Sequence, residues 1–179
     1  MGDIIEVRNL TKRFGENIIL DNLSFSIEEG SIFGLIGRSG CGKTTLLNLL
    51  VDFLKPNKGS IHFRGKEISK LGNKLGENVG LACQEGSFYH ELTVSENLSY
   101  FGRLYGLEGK EIKERSKILL ETFGLTDAIN TFGTNLSVGM QKRLDIACSL
   151  IHDPEVLILD EPTANLDPAL RKNILDLIK

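Results

Sequence analysis

No long apolar run crosses this 179-residue chain; the Leu46–Leu54 segment is broken by Asn48 and Asp52. A membrane-spanning helix needs about 20 consecutive apolar residues, so the chain does not cross a bilayer by itself, and any membrane role calls for a partner chain. Met1–Leu10 carries Asp3 and Glu6 and has no apolar core, which excludes a secretory signal peptide. Basic excess is also missing. The net charge is −3, and without a positive field a nucleic-acid partner is not expected. The three cysteines, Cys41, Cys83 and Cys148, form no CxxC pair, so neither a zinc site nor a disulfide framework is expected and a reduced, cytosolic setting fits. No internal repeat and no low-complexity tract is visible. What remains is ordinary: 41% hydrophobic and 25% charged residues, enough for one globular domain or a domain with a subdomain.

Periodicity outlines the elements. Ile4–Arg8 reads as a strand, and Ile18–Ile27 as another in which Leu23, Phe25 and Ile27 alternate with polar residues. Ser31–Ile36 (SIFGLI) reads as a buried strand. A helix is expected from Lys43 to about Leu54, ended by the breaker cluster Pro56–Gly59. Ser60–Phe63, Val79–Cys83 and Val156–Leu159 read as strands, and residues 67–80 are polar and glycine-rich. Helical texture fills the middle, including Ser95–Leu104 and Lys110–Phe123, and Asp167-Pro168 opens a last helix. Strands alternating with helices indicate an α/β fold with a largely parallel sheet.

The strongest local signal is Gly37-Arg38-Ser39-Gly40-Cys41-Gly42-Lys43-Thr44, which fits G-x-x-x-x-G-K-[ST]. Glycines permit the positive φ that turns successive N–H groups inward, and the helix that follows aims its positive end at phosphates. Lys43 can reach the β- and γ-phosphates, and the Thr44 hydroxyl can ligate Mg²⁺. From average composition the pattern arises by chance in roughly one chain of this length in 200.

Val156-Leu157-Ile158-Leu159 runs into Asp160-Glu161. Alone, such a pair is as often a polar strand end. Beside a phosphate loop, Asp160 can hold the hydration shell of Mg²⁺ and Glu161 can polarise an attacking water as general base. Open parallel sheets bind ligands at these strand ends.

Between the two lies Leu136-Ser137-Val138-Gly139-Met140-Gln141-Lys142-Arg143-Leu144, which resembles the LSGGQ signature of ATP-binding cassette (ABC) transporter nucleotide-binding domains. The resemblance covers essentially the whole chain, in order. It implies a P-loop NTPase fold with a largely parallel core sheet, an N-terminal antiparallel β part and an inserted α-helical subdomain. By it, residues 1–84 and 145–179 form the ATP-binding core and 85–144 the helical subdomain with the signature. Phe14 corresponds to the aromatic that stacks on adenine. Gly37–Thr45, hence Arg38, Ser39, Gly40, Cys41 and Thr45 as well, is the P-loop. Gln84 matches the Q-loop glutamine that touches the metal and senses the membrane partner. Asp160 matches the metal-site aspartate, Glu161 the catalytic glutamate, and Asn165-Leu166-Asp167 the D-loop. Phe88 and Tyr89 either line the groove for a membrane-subunit helix or simply pack the subdomain.

The helix after the signature stands on its own pattern. Leu144, Ala147, Cys148 and Ile151 form one apolar stripe, with Ser137 as N-cap. The resemblance further implies a homodimer or heterodimer with a second ATP-binding domain, in which Ser137 and the Gly139 N–H approach the γ-phosphate held by the other copy. It implies transmembrane permease subunits as partners, a cytoplasmic location peripheral on the inner face of the membrane, and ATP with Mg²⁺ as ligands.

The pattern departs from the family in two places. Val138 and Met140 replace a signature glycine and glutamine, a variation similar to the ABC-2-type exporter group, as is Leu92–Leu107; export is the direction expected. The family's switch histidine lies beyond the D-loop helix, whereas His62, His90 and His152 read as surface or packing residues. On that ground a truncated cassette with poor hydrolysis is expected. The alternatives are a non-catalytic ATP-binding fragment, a soluble ABC ATPase not coupled to transport, and a small-molecule kinase sharing only the P-loop.

Overall fold

The computed structural model describes residues 2–84 and 86–163, together with Pro168 and Lys172. The chain divides into two compact units, Met1–Gly76 and Glu77–Lys179. The D-loop residues Asn165-Leu166-Asp167 lie outside the described residues, while Pro168 is helical as expected.

In the first unit β1 (Asp3–Phe14), β2 (Asn17–Glu28), β3 (Lys58–Phe63) and β4 (Lys66–Glu67) form an antiparallel sheet in the order β2-β1-β3-β4. Arg64 and Gly65, both at positive φ, close the β3–β4 hairpin as the strand twist favours. β1 carries one extra residue, since Val7 and Leu10 oppose Phe25 and Leu23 while Arg8 and Thr11 oppose Ser60 and Lys58. Asn9, at φ 49°, is the bulge. Gly59 faces it, and a Cβ there would lie 2.4 Å from the carbonyl oxygens of both Arg8 and Asn9, so no other residue fits. Past the bulge Leu10 joins Ile5 and Val7 in the core, where Ile61 and Phe63 pair with them across β3. The expected alternation of Leu23, Phe25 and Ile27 in β2 is present, each half-buried between exposed neighbours.

α1 (Lys43–Leu50) buries Leu46, Leu49 and Leu50, one helical face. It ends earlier than the pattern implied because Asp52 sits at φ 62°, where a helix cannot continue. Residues 67–80, polar and glycine-rich by sequence, include the short α2 (Asn73–Asn78), with Ile68 and Leu75 buried. The largest correction concerns Ser31–Ile36. It is not a buried strand: none of the described ladders includes it, and Ile32 and Ile36 are 73% and 97% exposed. An apolar run supplies β tendency, but a strand exists only through its pairing partner.

The second unit holds the parallel pair β5 (Val79–Ala82) and β6 (Val156–Leu159), with Val79 opposite Val156 and Ala82 opposite Leu159. α3 (Val94–Leu104), α4 (Gly109–Thr122) and α5 (Val138–Leu150) complete it. α3 starts at a full capping box, in which Thr93 and Glu96 satisfy each other's backbone N–H. α5 lies on β5 at backbone contact, since a Cβ on Gly80 would come within 2.2 Å of the Ser149 carbonyl oxygen. At Gly102 of α3 a Cβ would lie 2.7 Å from Ile112 Cγ1, so α3 packs there directly against a side chain of α4. The core gathers Val94, Leu98, Leu120, Phe123 and Leu125 with the stripe Leu144, Ala147, Cys148 and Ile151. His152 is a packing residue, buried and stacked on Tyr105 at 3.7 Å between ring centroids, and that burial lowers its pKa.

Candidate functional site

The glycine-rich segment lies in the first unit. Residues 37–41 are exposed, Ser39-Gly40 forms a turn, and the Cys41 N–H donates to the Arg38 carbonyl at 3.2 Å. Gly40 and Gly42 take φ 76° and 98°. Gly42 has a second constraint, because a Cβ there would meet Ile19 Cγ2 at 2.8 Å. It stands at the N-cap position of α1, where no side chain makes a capping hydrogen bond, and no acid stands in the first turn. The first amides of a helix have no partner within it and carry its positive pole, so an uncapped start is a seat for an anion. Lys43 Nζ folds back over the loop, donating to the carbonyls of Gly37 at 3.2 Å and Arg38 at 3.4 Å. Thr44 is exposed and Thr45 half-buried one step on. Phe14, at the end of β1, is 48% exposed, with Lys12 Nζ 5.0 Å above its ring centroid.

Two candidate metal ligands follow neighbouring strands in the second unit. β5 and β6 run parallel and end level, so Gln84 and Asp160 follow them at the same carboxyl edge. The Asp160 N–H donates to the Ala82 carbonyl at 3.0 Å, which extends the ladder by one residue and holds the Asp160 backbone. Asp160 is buried, while Gln84 and Glu161 are exposed. Glu161 sits at φ 49°, a left-handed conformation costing a side-chain-bearing residue on the order of 1 kcal/mol. An Asp carboxylate and a Gln amide oxygen are hard oxygen donors, of the kind that suits Mg²⁺. Among the described residues no three His, Cys, Asp or Glu side chains converge.

The signature helix starts as its sequence implied. Ser137 Oγ accepts the Met140 N–H at 3.3 Å, and Ser137 and Val138 are exposed. Gly139 is buried, and its carbonyl accepts Arg143 Nε at 3.3 Å; Arg143 also donates to the Phe123 carbonyl at 3.0 Å, tying α5 to the end of α4. Phe88 is buried, whereas Tyr89 is half in solvent with its hydroxyl 3.1 Å from that of Tyr100.

Three polar residues escaped the sequence reading. Asn97 is fully buried; its amide oxygen accepts the Tyr89 N–H at 2.7 Å and its NH₂ donates to Tyr89, Leu92 and Thr93 carbonyls. Lys142 Nζ donates to the Cys83 carbonyl at 2.9 Å, and Asp145 Oδ1 accepts the Ser87 N–H at 2.6 Å. Burial pushes the Asp145 carboxyl up, opposed by the Ser87 N–H and Lys142. One signal was available, since Asp145 is a charge inside the otherwise apolar run Leu144–Cys148.

Comparison with known proteins gives a consistent answer. A family model described as ABC transporter matches residues 20–164. The chain is 36% identical to the linearmycin resistance ATP-binding protein LnrL of Bacillus subtilis, over 98% of this chain and 57% of that protein. It is 40% identical to the Nod factor export ATP-binding protein I of Ralstonia nicotianae, over 98% of this chain and 55% of that protein. It therefore spans about half the length of these relatives. Among solved structures, cbiO1 from Clostridium perfringens, part of the ABC transporter complex cbiONQ, superposes with a TM-score of 0.90 at 31% identity, over 99% of this chain and 73% of that one.

Proposed function

The chain belongs to the ABC transporter ATP-binding family, and on that footing we propose that it is an ATP-binding and ATP-hydrolysing subunit that powers export of a substrate through separate membrane subunits. The observation that carries this is the start of α1: an uncapped, acid-free helix end behind a left-handed glycine, with Lys43 folded over the loop before it. Phosphates would sit on those amides, with Gly37, Arg38, Ser39, Gly40, Cys41, Gly42, Lys43, Thr44 and Thr45 around them and Phe14 against the base. Adenine there requires Lys12 to leave one face of that ring or to stay as a lid on the other.

Thr44, Gln84 and Asp160 would hold Mg²⁺, which supplies neutralisation of charge on the phosphate oxygens. Glu161 accepts a proton from the attacking water as its oxygen bonds to the γ-phosphorus; the bond to the bridging oxygen breaks, and ADP leaves with phosphate. Lys43 steadies the charge that develops on the transferred group. Ser137 and Gly139 would complete the nucleotide site of a second copy, giving a homodimer or heterodimer. The core would comprise 1–84 with 145–179, and the helical subdomain 85–144. No described helix is long and apolar enough to cross a membrane, which suits a subunit seated on permeases at the cytoplasmic face. The export-type relatives support the direction.

Thermal unfolding with and without Mg·ATP tests the reading. A ligand at 100 times its Kd adds about 2.7 kcal/mol of stability, and Lys43→Ala should abolish that gain. Glu161→Gln should keep the gain and lose at least about a hundredfold in turnover. An ATP-dependent shift that survives Lys43→Ala would sink the assignment. A shift without any turnover in the unsubstituted chain would favour the second reading, a nucleotide-binding subunit that does not hydrolyse alone.

A further inference from the structure

The turn that carries Gln84 is held from both sides by one turn of α5. Lys142 Nζ binds the carbonyl of Cys83, the residue before it, and Asp145 Oδ1 binds the N–H of Ser87, three residues after it. The two side chains also face each other, with Lys142 Nζ 3.5 Å from Asp145 Oδ2. Both are withdrawn from water, the Asp145 side chain fully and that of Lys142 to 11% exposure. A buried pair of this kind gains little net stability, because desolvation offsets its attraction. Its use lies in geometry: both backbone groups it satisfies flank Gln84, and neither anchor comes from the strand that leads into the turn.

We propose that Lys142 and Asp145 are positioning residues that hold the Gln84 amide where it meets the metal, making the turn after β5 move as one piece with α5. The proposal rests on the role given to Gln84 above. Ser137, the N-cap of α5, lies five residues or about 7.5 Å along the helix axis from Lys142. Any displacement of the signature end by a second copy's nucleotide would then reach Gln84 through a rigid helix and two polar contacts.

The test is the affinity of this chain for ATP, measured by titration in Mg²⁺ and again in EDTA. The proteins are the unsubstituted chain, Gln84→Ala, Lys142→Met, their double substitution and Lys142→Arg. Loss of a group that orients a metal ligand costs about tenfold or more in metal affinity. Lys142→Met should therefore lose about tenfold in Mg²⁺, as Gln84→Ala does, and little in EDTA. The double should be no weaker than Gln84→Ala alone, and Lys142→Arg, which keeps a donor, should recover most of the loss. A purely structural lysine would weaken binding equally with and without Mg²⁺. That result, or losses that add in the double, overturns the proposal while leaving the proposed function standing. If Gln84→Ala keeps the full Mg²⁺ response, the metal role of Gln84 falls and the positioning role with it. If the unsubstituted chain binds no ATP in either condition, the proposed function itself fails. Should Lys142→Met not fold because Asp145 is left unpaired, Lys142→Met with Asp145→Ala removes both charges and carries the same expectations.

Discussion

Replacing Gly80 with alanine asks whether α5 and β5 touch as closely as the structure places them. The new methyl would lie 2.2 Å from the Ser149 carbonyl oxygen and 3.0 Å from Pro154 Cγ. A carbon–oxygen contact relaxes near about 3.3 Å, so the helix must withdraw by about 1 Å. A gap of that size forfeits up to about half the dispersion energy of each contact it opens, and Ala147, Cys148 and Ile151 are fully packed on that helix. Against this, burying a methyl contributes about 0.8 kcal/mol and the stiffer unfolded chain about 0.4–1 kcal/mol. Overpacking costs about 1–3 kcal/mol, and obstruction by backbone rather than by a mobile side chain puts this site at the upper end. The net is a loss of about 1–2 kcal/mol, or about 2–8 °C in Tm for a chain of this size. Circular dichroism melts of Gly80→Ala beside Gly109→Ala decide it. Gly109 is exposed at the start of α4 with nothing within 4 Å of its Cβ position, so alanine there should be neutral or stabilising by up to about 1 kcal/mol. A Gly80→Ala protein as stable as the parent would refute the close approach.

Asn97→Leu should cost about 1–3 kcal/mol, because it removes the partner of the Tyr89 N–H and of the carbonyls that Asn97 now satisfies; a lower urea midpoint at unchanged slope is the expected record. Burial holds the folded pKa of His152 below the unfolded value near 6.5. The stability it contributes is therefore complete above about pH 6.5 and is lost as pH falls through the folded pKa. His152→Phe, which keeps the stack on Tyr105, should be less sensitive to acid than the parent over that window, and parallel stability–pH curves would refute the assignment.

The residues that announce the site act through their own backbone or their nearest neighbours. Gly40 and Gly42 are at positive φ, Lys43 opens α1, Ser137 caps α5, and Asp160 and Glu161 follow β6, all as their local pattern required. The apolar stripe of α5 is likewise buried, because a 3.6-residue period has one way to face a core. Ser31–Ile36 shows where such reasoning stops. Its composition is that of a buried strand, yet it joins none of the described ladders and Ile36 is exposed. The boundary of α1 failed for a smaller reason of the same kind, a single left-handed Asp52.

The sequence by itself determined the family, the glycine-rich loop, the order of the motifs and the faces of the long helices, since each is written in contiguous residues whose spacing maps onto one turn or one period. Only the tertiary structure decided that Gly80 and Gly59 tolerate no side chain, that Asn97 fastens the chain ahead of α3, and that Lys142 and Asp145 grip the turn bearing Gln84. Those facts depend on which backbone atoms arrive within 3 Å from up to 69 positions away, as the Ser149 carbonyl does at Gly80. That distance is set by the packing of whole elements, and no local pattern encodes it.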